Sequence, residues 1–299
     1  CITLTIDLLE GANLISFHAL PSDLSIGSIF SDLGDNIKII ITAGAGAVNI
    51  DGNWYGSLYE IAPDNGYWVI LNHEATLSIP EAVPSSFDGY NLQYQLHFGN
   101  NLISYPFAVG QALEDAISSE YDNSIWAITG SGVAAQKING NWYGSLDYLS
   151  PSSGYWIVSY GDIQFQYNHP DYDTSLRRNS YSRTDAPDLF TFSQSTYQAF
   201  YWVYHADIDS TPLVVGEDWI GAFYGDECIG AREWSGMSTY GIPTDIPVMG
   251  FDDEIDATQN YIIAGEYPRF VVYDASEDTY YDANAYDNHI FEGALLAMY

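Results

Sequence analysis

A mainly β fold follows from three observations on this sequence. Tyr and β-branched residues are plentiful: 26 Tyr stand against only 7 Lys and Arg together, and such side chains suit pleated, half-buried surfaces. Short apolar runs are separated by Asp-Gly, Asn-Gly and related turn pairs. One block is written twice, DGNWYGSL at 51–58 and NGNWYGSL at 139–146. The expected architecture is mainly β, with α+β character in the repeats. Two tandem small β-rich modules (1–84 and 85–168), each with one short helix, precede an Arg-containing linker (169–196) and a C-terminal β-sandwich-like domain (197–299).

The duplication runs without gaps at a constant offset of 88 residues. Gly11, Asn13, Leu14, Ile15 and Ser16 match Gly99, Asn101, Leu102, Ile103 and Ser104, while Gly44 matches Gly132 and Ile50 matches Ile138. The blocks 52–58 and 140–146 coincide, as do Pro63 with Pro151 and the GYW at 66–68 with that at 154–156. Repeats of this kind set the fold before any single element does.

Within each copy, NLISF or NLISY is a short apolar strand. An amphipathic helix is expected next, because Ile26, Ile29, Phe30 and Leu33 fall at i, i+3, i+4 and i+7, and QALEDAISSEY holds that place in the second copy. IKIIIT and SIWAIT are the following strands. Asp51-Gly52 and Asn139-Gly140 then stand between strand-like runs, the residue pairs of a type I′ hairpin, where both central residues need positive φ. Adjacent strand side chains face opposite ways, so one aromatic of Trp54-Tyr55 and of Trp142-Tyr143 should enter the core and the other face out. Core packing is the favoured role; an outward ring offers a surface for a sugar or a neighbouring subunit.

These residues carry a resemblance. The chain resembles tandem modules of the form G-x-N-L-I-S-[FY]…G-x-W-x-G-S-L…G-Y-W of secreted and cell-surface proteins of bacteria, particularly Bacteroidota and related groups, over Gly11–Trp68 and Gly99–Trp156. The resemblance implies an extracellular β-rich building block and brings no catalytic residue with it.

From residue 168 to 196 the pattern breaks. The stretch is polar and aperiodic, and it holds Arg177, Arg178 and Arg183, three of the seven basic residues. A solvated linker, a cationic clamp on an acidic surface, and a protease site at Arg177-Arg178 are the readings it supports. Beyond it, YQAFYWVYHADI alternates like a strand, and GEDWIGAFYGDECIGAREW reads as two strands around a turn at Tyr224-Gly225-Asp226. This part resembles a β-sandwich-like domain near the C-termini of bacterial secreted proteins, some of them exported by type IX secretion. The match rests on 218–223, 225–230 and Pro247-Val248-Met249-Gly250; Glu217 stands where that pattern has Gly.

Charge narrows the partners. With 40 acidic residues against 7 basic the net charge is −33, so nucleic acid and anionic membrane surfaces are repelled and cations attracted. No run reaches the length of a transmembrane helix. The chain starts at Cys1 instead of Met and is expected to be a processed product or a fragment. Cys1 and Cys228 are the only cysteines; lipidation of Cys1 and a disulfide, within or between chains, are the alternatives for them.

No nucleophile elbow, H-E-x-x-H, Walker A or G-x-G-x-x-G occurs, and the six histidines are scattered, so no enzyme activity is expected. Asp252, Asp253 and Asp256, with Asp207, Asp209 and Asp218, form oxygen-rich loops suited to Ca²⁺ or simply to solvent. The expected function is that of a non-enzymatic extracellular structural protein, a self-assembling subunit of a surface filament, sheath or appendage. Cys1, Cys228 and the three arginines are its candidate assembly residues. The alternative is carbohydrate binding or adhesion through Trp54, Tyr55, Trp142 and Tyr143.

Overall fold

The computed structural model describes residues 1–86, 91–170, 186–236, 241–294 and 296–299. The fold is mainly β, built from several antiparallel sheets. By its contacts the chain divides into two units. The first comprises Cys1–Ser131, Gln136–Trp142 and Leu146–Arg178; the second comprises Gly132–Ala135, Tyr143–Ser145 and Asn179–Tyr299.

Each sequence repeat builds a five-stranded sheet with the same strand order. In the first repeat the order is Gly11–Ser16, Gly66–Leu71, Ile37–Thr42, Ala45–Ile50 and Asn53–Gly56. In the second it is Gly99–Ser104, Gly154–Ser159, Ile125–Thr129, Ala134–Ile138 and Asn141–Gly144. Register is reproduced as well: Leu14 faces Trp68 across the ladder as Leu102 faces Trp156. GYWVIL and GYWIVS are buried at every residue, which is why they read as unbroken apolar runs instead of alternating ones. The helices are one turn each, Ile26–Ile29 and Leu113–Ala116, continued by 3₁₀ turns over Ser31–Asn36 and Ser119–Tyr121. Ile26, Ile29, Phe30 and Leu33 are all buried, so the helical spacing marks a genuine core face even though the α-helix itself stops after four residues.

The repeated octapeptide begins as a two-residue turn. Asp51 and Gly52 have φ of 51° and 78°, Asn139 and Gly140 of 51° and 83°, as a type I′ hairpin requires. Its second glycine is there for space: a Cβ on Gly56 would lie 2.2 Å from Gly46 O, and one on Gly144 2.3 Å from Ala134 O.

The repeated NLIS and GYW segments join the two repeats inside the first unit. Ser16 N–H donates to Ser152 O at 2.9 Å, and its counterpart Ser104 N–H donates to Asp64 O at 3.1 Å. Bridges Ile15–Ser153 and Asn65–Ile103 are likewise each other's image under the 88-residue offset. The hydroxyls add Ser16 Oγ to Ser153 O and Ser104 Oγ to Pro63 O, both 2.7 Å. Gly66 and Gly154 sit at the centre, where a Cβ would meet Ile103 O at 2.9 Å or Ile15 O at 2.7 Å. The backbone contacts therefore make the repeats an isologous pair within one chain, while the two hydroxyls depart from the symmetry, the equivalent of Ser153 being Asn65 and not Pro63.

The second unit is β-sandwich-like. Gln198–Val203 runs between Thr244–Met249 and Ala297–Met298, and a second sheet orders Glu227–Glu233, Trp219–Tyr224, Arg269–Asp274 and Thr279–Ala283. Ala199, Tyr201, Ile246 and Val248 of one sheet share a core with Ile220, Ala222, Ile229, Phe270 and Val272 of the other. The expected turn at Tyr224-Gly225-Asp226 closes the hairpin between Tyr224 and Glu227.

Candidate functional site

The octapeptide supplies the site. Its first aromatic turns inward in both repeats. Trp54 packs on the core of the first repeat, 6.4 Å from the Phe30 ring, and Trp142 lies under the Lys137 ammonium at 4.8 Å. Tyr55 faces out and is 59% exposed, whereas Tyr143 is half-buried. Alternation along the hairpin accounts for this: Val48 pairs with Tyr55 on the outward face and Asn49 with Trp54 on the inward one.

After the aromatics, Gly-Ser turns the chain and makes a corner of hydrogen-bond donors. In the first repeat Gly46 N–H donates to Ser57 Oγ at 3.4 Å, and the Ser57 and Leu58 N–H groups donate to Gly46 O at 2.9 and 3.1 Å. The second unit contains the equivalent corner, Ala134 with Ser145, and there a carboxylate occupies it. Asp245 Oδ1 accepts from Ser145 N–H at 2.8 Å; Oδ2 accepts from Ser145 Oγ at 2.6 Å and from Ala134 N–H at 3.3 Å. Arg232 Nη2 lies 3.3 Å from Asp245 Oδ2, and its Nε donates to the Asp245 carbonyl at 3.1 Å. Asp245 has no exposed surface. Burial pushes its pKa up, while the Arg232 guanidinium and the Ser145 donors pull it down. The corner thus binds a carboxylate with neutral donors, and Arg232 supplies the charge that a buried anion needs.

The other expected residues are placed apart from this corner. Asp218 is buried and accepts from Val214 N–H at 2.6 Å and Ala275 N–H at 3.0 Å. Asp252 is buried and accepts from Thr196 Oγ at 2.6 Å and Glu254 N–H at 3.1 Å. Asp207 accepts from Ser210 N–H at 2.8 Å beside His205 Nε2 at 3.0 Å. Asp209, Asp253 and Asp256 are exposed. Among the described residues no three His, Cys, Asp or Glu side chains are grouped to hold a metal ion. The two buried aspartates instead use their oxygens to fix loops of their own chain. Cys1 is an exposed free thiol and Cys228 a buried one, whose pKa burial pushes up to about 11. Arg177, Arg178 and Arg183 lie outside the described residues.

Sequence reasoning missed Asp245, Arg232 and the roles of Ser145 and Ser16. The serines were visible, since Ser16/Ser104 and Ser57/Ser145 recur at the repeat offset. Asp245 carried no signal, being one acid among many in a segment with no repeat partner.

No protein-family model, no curated protein and no solved structure matches this chain.

Proposed function

We propose that the chain is a non-enzymatic, extracellular structural protein, a self-assembling subunit of a surface filament, sheath or appendage. The observation that carries this reading is the reciprocal joint between the repeats. The residues the two copies share, Ser16 with Ser104 and Gly66 with Gly154, serve module-to-module association, and the shared octapeptide serves hairpin geometry and a docking corner. The repeated sequence is thus spent on architecture. The composition fits the setting: a net charge of −33 keeps such a chain soluble and directs it away from nucleic acid.

Electron cryomicroscopy of natively purified material, with a matched sample in chelator, is the test. Ordered filaments or tubes are the expected result, and their dissolution by chelator would make calcium a joint between subunits. Dispersed particles at high concentration in both samples would overturn the reading. Carbohydrate binding, the second reading, draws its support chiefly from the exposed Tyr55, because Trp54 and Trp142 face inward and Tyr143 is half-buried. Glycan-array binding lost in Tyr55→Ala would favour it.

A further inference from the structure

In the second unit, the tip of one hairpin and the loop opposite it border a cleft of about 500 Å³, within the roughly 300–1,000 Å³ usual for ligand sites. Tyr224, Asp226 and Glu227 line it from the hairpin that joins Trp219–Tyr224 to Glu227–Glu233. Gln259, Asn260, Tyr261 and Ile263 line it from the loop. Both walls are fixed by the chain itself. Gly225, at the tip, has a φ of 58°, and its carbonyl accepts from Arg269 Nη2 at 3.4 Å. On the other side Tyr261 N–H donates to Thr258 O at 2.9 Å, and the Tyr261 hydroxyl accepts from Ser193 N–H at 2.7 Å.

The lining divides into an apolar flank and a set of uncommitted oxygen acceptors. Tyr224 is half-buried, Tyr261 is buried and Ile263 is 51% exposed. Asp226, Glu227, Gln259 and Asn260 are exposed, and among the described residues none of their side chains takes part in a hydrogen bond or ion pair. Asp218 and Asp252, by contrast, commit their oxygens to N–H and hydroxyl groups of their own chain. No cation compensates the two carboxylates of the cleft. Of the described arginines in this unit, Arg232 is paired with Asp245 and Arg269 with Asp282.

The geometry points to a saccharide site, in which a sugar residue lays its C–H face on the flank of Tyr224 and Ile263 and directs its hydroxyls to the four polar side chains. Carboxylates accept without donating and carboxamides do both, so the cleft selects a ligand rich in donors. Sugar hydroxyls supply those donors, and the apolar face of a sugar ring matches a tyrosine wall. Charge then chooses among sugars. Two uncompensated carboxylates on a chain of net charge −33 repel uronates, sulfates and phosphates and attract an ammonium, so an amine-bearing sugar is held more tightly than a neutral one. A metal ion does not fit, since among the described residues no three His, Cys, Asp or Glu side chains are grouped to hold one. The inference goes beyond self-assembly and is independent of Tyr55, because it assigns carbohydrate to the second unit and not to the octapeptide.

The test is isothermal titration calorimetry of the full chain with soluble oligomers of glucose, glucosamine and galacturonate, in mildly acid buffer that keeps both the amine and the carboxylates charged. Glucosamine should bind most tightly, glucose less, and galacturonate not at all. Raising salt from about 0.02 M to about 0.5 M should shrink the advantage of glucosamine. Gln259→Ala/Asn260→Ala should weaken both ligands by about tenfold or more. Asp226→Asn/Glu227→Gln should remove the preference for glucosamine and leave glucose within a few-fold. Tyr55→Ala should change neither. These positions are exposed, so thermal melts of all variants should match the parent. Binding lost in Tyr55→Ala and intact in the cleft variants overturns the cleft and moves the sugar to the hairpin. Galacturonate bound as well as glucosamine, or none of the three bound, overturns it too, and either result leaves self-assembly standing.

Discussion

The two repeats share a frame and differ in how they satisfy its interior. At one equivalent pair of positions the first repeat has Gly34 and Asn49, and Asn49 Nδ2 donates to Gly34 O at 2.9 Å and Ile37 O at 3.0 Å. The second repeat has Asp122 and Lys137 there, joined as an ion pair with the Lys137 side chain 4% exposed. The neighbouring Trp differs accordingly. Trp54 packs near Phe30, whereas Ser118 stands at Phe30's equivalent and Lys137 covers the Trp142 ring. Neither solution is complete, since among the described residues Asn49 Oδ1 has no hydrogen-bond partner in the first and Trp142 Nε1 none in the second. The lesson is that backbone-determined positions, the turn and contact glycines and the corner serine, resist change across a duplication. A buried polar pair can be exchanged for another provided its donors find acceptors.

The largest way to break this comparison is at the filled corner, which the first repeat lacks. Arg232→Met leaves Asp245 buried without its cation and should destabilise the second unit by about 3–5 kcal/mol in denaturant unfolding. The pH dependence gives the sign. With the guanidinium gone, the carboxyl's folded pKa rises further above its unfolded value. The folded state of the variant then holds a proton that the unfolded chain releases. Its stability should be highest in acid, below the ordinary carboxylate pKa, and fall as pH rises through the folded value. A variant whose loss is the same at acid and neutral pH would contradict an ionised, Arg-paired Asp245.

Next comes the exchanged pair. Asp122→Ala strands the buried Lys137 and should cost about 3 kcal/mol. Asp122→Gly/Lys137→Asn, which installs the first repeat's residues in the second, should recover part of that loss. A double variant no better than the sum of its parts would mean the two sites do not share one packing solution.

The pseudo-two-fold joint predicts a symmetry of effects. Gly66→Ala and Gly154→Ala each force a methyl against backbone of the other repeat, and each should destabilise by about 1–3 kcal/mol to a similar extent. A marked inequality in equilibrium unfolding would show that the joint is lopsided in energy despite its reciprocal bonds. The smallest effect separates the corners again. Ser145→Ala removes the hydroxyl that donates to a buried carboxylate and accepts from Ala134 N–H, leaves the Ser145 N–H bond to Asp245 in place, and should cost about 1–2 kcal/mol, against a few tenths for the exposed Ser57→Ala. Equal melting shifts would argue that the carboxylate gains little from the serine hydroxyl.

The type I′ turns at 51–52 and 139–140, the mainly β class and the presence of a short helix in each repeat were legible because each rests on local backbone preference or on spacing along the chain, though the helices stop after one turn. The inward Trp and outward Tyr of the first repeat were half legible: alternation requires opposite faces, and only the sheet decides which face is the core. Why Gly66, Gly154, Ser16 and Ser104 recur was not legible, because an isologous contact joins residues far apart in the chain and leaves no local pattern beyond their repetition. The carboxylate that fills one corner was hidden for a related reason. An Asp becomes a buried ligand through the donors folded around it, and Asp245 lies a hundred residues from the serine it binds. The sequence by itself determined the duplication, its hairpins and its acidity, which follow from residue type and near neighbours. Tertiary structure alone decided which repeated residues became a joint, and which corner took a carboxylate while the other closed on its own carbonyl, because those outcomes depend on distant groups meeting.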